Sequence, residues 1–129
     1  MTKIRARKIT HPQKAEAGFN INGRIWIEKD GMLYLGWGRI MLLEKINEFG
    51  SLSEAARSMK LGYGNAWLWV DSMNRLSGKP LVEKVAGGRN GGYSRLTPEG
   101  KKAIVKYKKL REKFMDFLNQ ERYPNLRED

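Results

Sequence analysis

The sequence predicts a mainly α fold with a small β component: a winged helix-turn-helix preceded by a β-hairpin and followed by a long helix. Three observations carry this expectation. The tight turn Leu61-Gly62-Tyr63-Gly64 separates two helical periodicities. Two short strand-like runs flank Gly87-Gly88-Arg89-Asn90-Gly91-Gly92, and Thr97-Pro98-Glu99 opens a long amphipathic stretch. Helix, short helix, turn, helix, two-stranded ribbon and long helix is the order in which such a unit is laid out.

Residues 1–18 hold Lys3, Arg5, Arg7, Lys8 and Lys14 with little apolar periodicity, and are expected to form a basic, flexible arm. Residues 19–96 are expected to form the hairpin and nucleic-acid-binding unit, and 97–129 the long helix and tail. Ile21, Ile25 and Ile27 alternate with polar residues around Trp26, Lys29-Asp30-Gly31 supplies a turn, and Met32 to Leu35 returns. Asp-Gly between two such runs predicts a hairpin in which Trp26 packs.

Gly36 to Gly50 reads as a helix, because Ile40, Leu43, Ile46 and Phe49 recur at three-residue spacing and Gly50 can cap the end. Ser51 and Ser53 both offer N-cap hydroxyls to a short helix running to about Lys60, and Ser53 is the expected cap. Asn65 to Leu76 follows as a third helix with Ala66, Val70 and Met73 on its inner face. Trp67 and Trp69 lie about 200° apart on it, so they cannot share one core. Trp69 is expected to pack. Leu81 to Val85 and Tyr93 to Leu96 form the ribbon. In the last helix Thr97 is the N-cap and Pro98 the first helical residue, and Ile104, Tyr107, Leu110, Phe114, Phe117 and Leu118 mark an apolar stripe.

Twenty-five Lys and Arg against 14 Asp and Glu give a formal charge of +11, which calls for a polyanionic partner, double-stranded DNA first. The chain has no cysteine and one histidine, His11, so no disulfide, thiolate metal site or histidine pair can form within it. No P-loop or dinucleotide fingerprint is present. A non-enzyme without cofactor or metal is expected. No stretch approaches the roughly 20 apolar residues of a membrane helix and no signal peptide is recognisable, so a cytoplasmic protein without membrane contact is expected.

In a winged helix-turn-helix the third helix enters the major groove while the ribbon meets the flanking backbone or minor groove. The candidate DNA-contacting set is therefore Ser51, Ser53, Tyr63, Asn65, Trp67, Leu68, Asp71 and Arg75, with Arg89 and Asn90 at the ribbon tip. Asn65 can pair with adenine in bidentate fashion, and Tyr63 can meet a phosphate or a thymine methyl. Neither Arg nor Lys precedes Arg75 on this helix, so direct reading of guanine is not expected. An architectural nucleic-acid-binding protein, a protein-docking module and an RNA binder using exposed aromatics remain alternatives.

Several segments carry a family resemblance. Gly23-Arg24-Ile25-Trp26-Ile27-Glu28, Gly38-Arg39-Ile40-x-Leu42-Leu43-Glu44-Lys45-Ile46, Gly50-Ser51-Leu52-Ser53-x-Ala55-Ala56, Tyr63-x-x-Ala66-Trp67, Met73-Asn74-x-Leu76 and Gly87-Gly88-x-x-Gly91-Gly92 with Leu96-Thr97-x-x-Gly100 resemble the N-terminal domain of molybdate-responsive ModE-type regulators. Gly50 to Ala56 is more distantly similar to LysR-type reading heads. The resemblance implies a homodimeric transcriptional regulator, with the apolar stripe of the last helix, Ile104 to Leu118, forming much of the dimer interface. It also implies Tyr63, Asn65 and Trp67 near the groove and Arg89 and Asn90 on the wing. The family often carries Lys where Gly64 stands. Its full-length members continue into a molybdate-binding module, for which no sequence follows Asp129. Any signal is therefore expected to come from another, unidentified partner.

Overall fold

The computed structural model describes residues 18–85 and 93–121. The expected basic arm and the wing tip with Arg89 and Asn90 lie outside the described residues, apart from Gly18. The architecture is winged-helix-like and mainly α, with two separate two-stranded antiparallel sheets.

β1 (Ile27–Lys29) and β2 (Met32–Leu35) form the first hairpin. Asp30 and Gly31 both lie in the left-handed region, at φ 53° and 77°, and Lys29 pairs with Met32. Two consecutive positive φ values are what a type I′ turn requires, and that turn matches the strands' twist. The first strand is shorter than the alternation of Ile21, Ile25 and Ile27 suggests. Ile25 instead lies in a strap whose carbonyl accepts a 2.7 Å hydrogen bond from the Tyr107 hydroxyl. Trp26 is half exposed rather than packed, and its indole N–H donates to Glu28 at 2.9 Å.

α1 (Trp37–Phe49) ends at Gly50, whose φ of 68° and N–H bonded to the Ile46 carbonyl make it a left-handed cap. Ile40, Leu42, Leu43 and Ile46 are fully buried, whereas Phe49 turns out to solvent beneath the Lys45 ammonium. In α2 (Leu52–Ser58) the cap is Ser51, not Ser53: its Oγ accepts from the Glu54 N–H at 3.1 Å. The reason is packing. Leu52, Ala55 and Ala56 are all buried, and only a helix that includes Leu52 puts all three on one face.

α2 stops at Ser58, two residues before the expected end. The Leu61 N–H bonds the Ala56 carbonyl and the Lys60 N–H bonds that of Arg57, with Lys60 at φ 57°. This is a Schellman closure. It leaves Gly62 as N-cap, so α3 (Tyr63–Ser77) begins two residues earlier than expected and takes Tyr63 and Gly64 into its first turn.

β3 (Val82–Lys84) pairs with β4 (Ser94–Leu96), and α4 (Pro98–Gln120) follows. The core lies between α1, α2, α3 and the root of this ribbon, closed by Leu81, Leu96, Ala103 and Tyr107. Thr97 caps α4 as expected: its Oγ1 accepts from the Gly100 N–H at 3.0 Å and donates to the Pro80 carbonyl at 2.7 Å. A Cβ at Gly100 would sit 2.3 Å from the Leu81 carbonyl oxygen, an atom fixed by backbone bonding.

Two substitutions in helix-favouring or glycine-favouring directions should therefore act against ordinary propensity. Gly100→Ala should destabilise by about 1–3 kcal/mol through this overlap, although alanine is the better helix former. Lys60→Gly should stabilise by about 0.5–1 kcal/mol by relieving the left-handed strain. Chemical denaturation of both variants checks the signs.

Burial pushes the Tyr107 hydroxyl above its ordinary value, with Arg111 acting in the opposite sense. A phenol held neutral in the fold contributes stability that is present below about pH 10 and lost as pH rises further. Tyr107→Phe should lose about 1 kcal/mol at neutral pH with the Ile25 bond and show a shallower alkaline decline. Urea melts from pH 8 to 11 check this.

Candidate nucleic-acid interface

α2 and α3 meet through the four-residue turn 59–62, and residues 62–65 at the start of α3 are exposed. Ala66, Val70 and Met73 hold the inner face. The outer face carries Tyr63, Trp67 and Leu68, which are 54%, 44% and 56% exposed, with Asn65 exposed beside them. Trp69 is partly buried against the core, as expected, under Gly38 and with the Arg39 guanidinium 6.0 Å from its ring.

Tyr63, Trp67, Asp71 and Arg75 follow one another at four-residue spacing and form one row along the helix. Asp71 and Arg75 are an ion pair, with the Arg75 Nε donating to the carboxylate at 3.1 Å. The row thus offers two aromatic rings at its N-terminal end and a self-neutralised pair further on, with the Asn65 amide exposed off the row. Gly62 supplies no side-chain cap, which leaves first-turn N–H groups of α3 without a capping acceptor. Ser51 is occupied as the α2 cap, and Ser53 is half-buried on that helix.

What fixes α3 against its surroundings was not singled out from the sequence. Asn74 does so at the wing: its Oδ1 accepts from the N–H groups of Leu81 and Val82 at 2.8 and 3.2 Å, and its Nδ2 donates to the Val82 carbonyl at 3.0 Å. One amide thereby satisfies three backbone groups at the start of the wing, on Leu81 and Val82. Arg39 does so at the hairpin: its Nη1 donates to the carbonyls of Leu33 and Tyr34 at 3.1 and 3.3 Å and to Ser72 Oγ at 3.2 Å. Burial lowers the pKa of this guanidinium, and its Nε is buried without a hydrogen-bond partner. At the far edge of the wing, Arg95 Nε meets Glu83 at 2.8 Å and the Ser94 N–H bonds the Gly50 carbonyl at 3.0 Å.

The apolar stripe of α4 divides. Tyr107 and Leu118 are buried within the chain, and Ile104 and Phe114 are half-buried. Leu110 and Phe117 remain exposed, at 40% and 56%. Phe114 lies so near the strap that a Cβ at Gly23 would come within 3.0 Å of its ring. Lys108 pairs with Glu44, and the Arg111 guanidinium stands 4.0 Å from the centroid of the Trp37 ring, which ties α4 to α1. Among the described residues no group of three or more His, Cys, Asp or Glu could hold a metal ion. No described helix is long and apolar enough to cross a membrane.

Over 97 residues the chain is 38% identical to the molybdenum transport protein ModE of Azotobacter vinelandii, covering 75% of this chain and 36% of that one. It is 36% identical over 86 residues to the DNA-binding transcriptional dual regulator ModE of Escherichia coli, covering 64% and 33%. The chain is related in sequence to ModE-type regulators. A third relative, the molybdenum-pterin-binding protein MopB of Rhodobacter capsulatus, is 44% identical over 73 residues, covering 57% and 27%. The chain thus spans about a third of the length of these ModE-type relatives. No family model matches it. The relatives named for a role in transcription are regulators, not enzymes.

The Asn74 anchor yields a direct expectation. Asn74→Ala leaves three buried or half-buried backbone groups short of partners and should cost about 2–4 kcal/mol. Hydrogen exchange at the Leu81 and Val82 amides should accelerate before that of the α1 core, and NMR exchange rates check the order.

Proposed function

We propose that the chain is a cytoplasmic DNA-binding transcriptional regulator that acts as a homodimer and reads duplex DNA through α3 and the wing. The observation that carries this is the exposure of Tyr63, Asn65, Trp67 and Leu68 at the N-terminal end of α3, on a helix-turn-helix within a chain of charge +11. Residues 19–96 form the DNA-binding unit and 97–129 the dimerisation helix and tail. Asn65 reads adenine, Trp67 and Leu68 meet thymine methyl groups, and uncapped amides at the start of α3 face a phosphate. Arg89 and Asn90 on the wing contact the flanking backbone or minor groove. With Arg75 tied to Asp71, the row has no free guanidinium for guanine, which favours A·T-rich half-sites. Leu110 and Phe117 supply the exposed part of the dimer face on α4. Two such subunits read half-sites about one helical turn apart, or a multiple of it.

Selection from a duplex library at two salt concentrations tests the reading. An enriched inverted repeat with steep salt dependence is expected; salt-sensitive retention without enrichment would make the protein architectural, and no retention would leave protein docking. Asn65→Ala should lose about 1–3 kcal/mol of discrimination at one base pair per half-site while retaining its salt slope. Competition titrations between matched duplexes measure this, and unchanged relative affinities would remove Asn65 from base reading.

A further inference from the structure

At the end of α3 opposite the proposed reading face lies a cleft of about 490 Å³ between the first hairpin, the α3 terminus and α4. Its apolar lining comes from Ile27, Leu35, Leu81 and Ala103, three of them buried core residues. Lys79, Lys102 and Lys106 also line it, against one acid, Glu99, so three positive charges and one negative leave an excess of two. None of the three lysines has an ion-pair partner among the described residues. Lys102 and Lys106 are one helical turn apart, where like charges repel. Tyr34 contributes a phenol whose pKa burial, chiefly, raises, with a side-chain hydrogen bond to Ser77 acting in the opposite sense and Glu99 raising it further.

We propose that this cleft binds a small organic anion with an apolar body, such as an aromatic or branched-chain carboxylate. The apolar floor takes the body, and the carboxylate lies among Lys79, Lys102 and Lys106, relieving their mutual repulsion. Its volume is that of an ordinary small-molecule site. DNA is a poor occupant, because the 15 residues of α3 place the cleft about 20 Å from the N-terminal end of that helix. A bare inorganic oxyanion would leave the apolar floor uncovered. The assignment does not depend on DNA reading.

The test is a fluorescence titration of the full chain with 8-anilinonaphthalene-1-sulfonate, whose rings and single sulfonate match the proposed chemistry, joined to amide chemical-shift mapping. One saturable site is expected, with shifts centred on Tyr34, Ser77 to Lys79 and Lys102 to Lys106, and displacement by benzoate but not by equimolar inorganic phosphate. The double variant Lys102→Gln/Lys106→Gln should bind at least tenfold more weakly. Lys60→Gln/Lys84→Gln, which removes the same charge from exposed positions outside the cleft, should bind within twofold of the parent. All four are exposed lysines, and unchanged circular dichroism verifies the fold. Equal weakening in the two double variants, shifts centred elsewhere, displacement by phosphate, or no saturable binding would each overturn the proposal.

Discussion

α3, α4 and the two ends of the wing meet at the backbone of Leu81. Its N–H donates to Asn74 of α3, its carbonyl accepts the N–H of Thr97, and Gly100 of α4 passes over that same carbonyl. Its side chain, 2% exposed, closes the core between them. A buried peptide group must be satisfied on both sides, and here the two partners come from opposite ends of the wing. The relative placement of α3, the ribbon and α4 follows from that one residue. Without it the strands would have only each other, and a lone two-stranded ribbon is marginal in water.

The same junction explains why an aromatic face can remain outside. The inner face of α3 is held by Ala66, Val70 and Met73, its C-terminal half by Asn74, and its middle by Ser72 through Arg39. Tyr63, Trp67 and Leu68 are left on the opposite side with no core to enter. Exposed large apolar groups gathered at one end of a firmly held helix mark an interaction surface. Rigid support also lowers the ordering cost of binding.

Features written in local sequence were legible. Asp30-Gly31 announces its turn, Gly50 and Thr97 their caps, and the opposed positions of Trp67 and Trp69 assign Trp69 to the packed side. The cap of α2 was not legible, because local sequence offers two serines and the choice between them depends on Leu52 being buried with Ala55 and Ala56. The roles of Asn74 and Arg39 were not legible at all. Arg39 and Ser72 are separated by 33 positions, and no periodicity connects them. The α4 stripe was visible as apolar, but how it divides between the chain's own strap and the outside depends on Ile25 and Gly23 folding back upon it. Of the proposed site, the α3 row could be named from helical spacing alone, whereas the ion pairing of Arg75 with Asp71 needed side-chain positions.

The central claim, that duplex DNA is held by the N-terminal half of α3, is tested most directly by hydrogen–deuterium exchange of the full chain with and without a selected duplex. The account predicts slowed exchange across residues 62–71, with the buried amides of α1 unchanged. Protection confined to α4, with residues 62–71 exchanging as in the free protein, would contradict it.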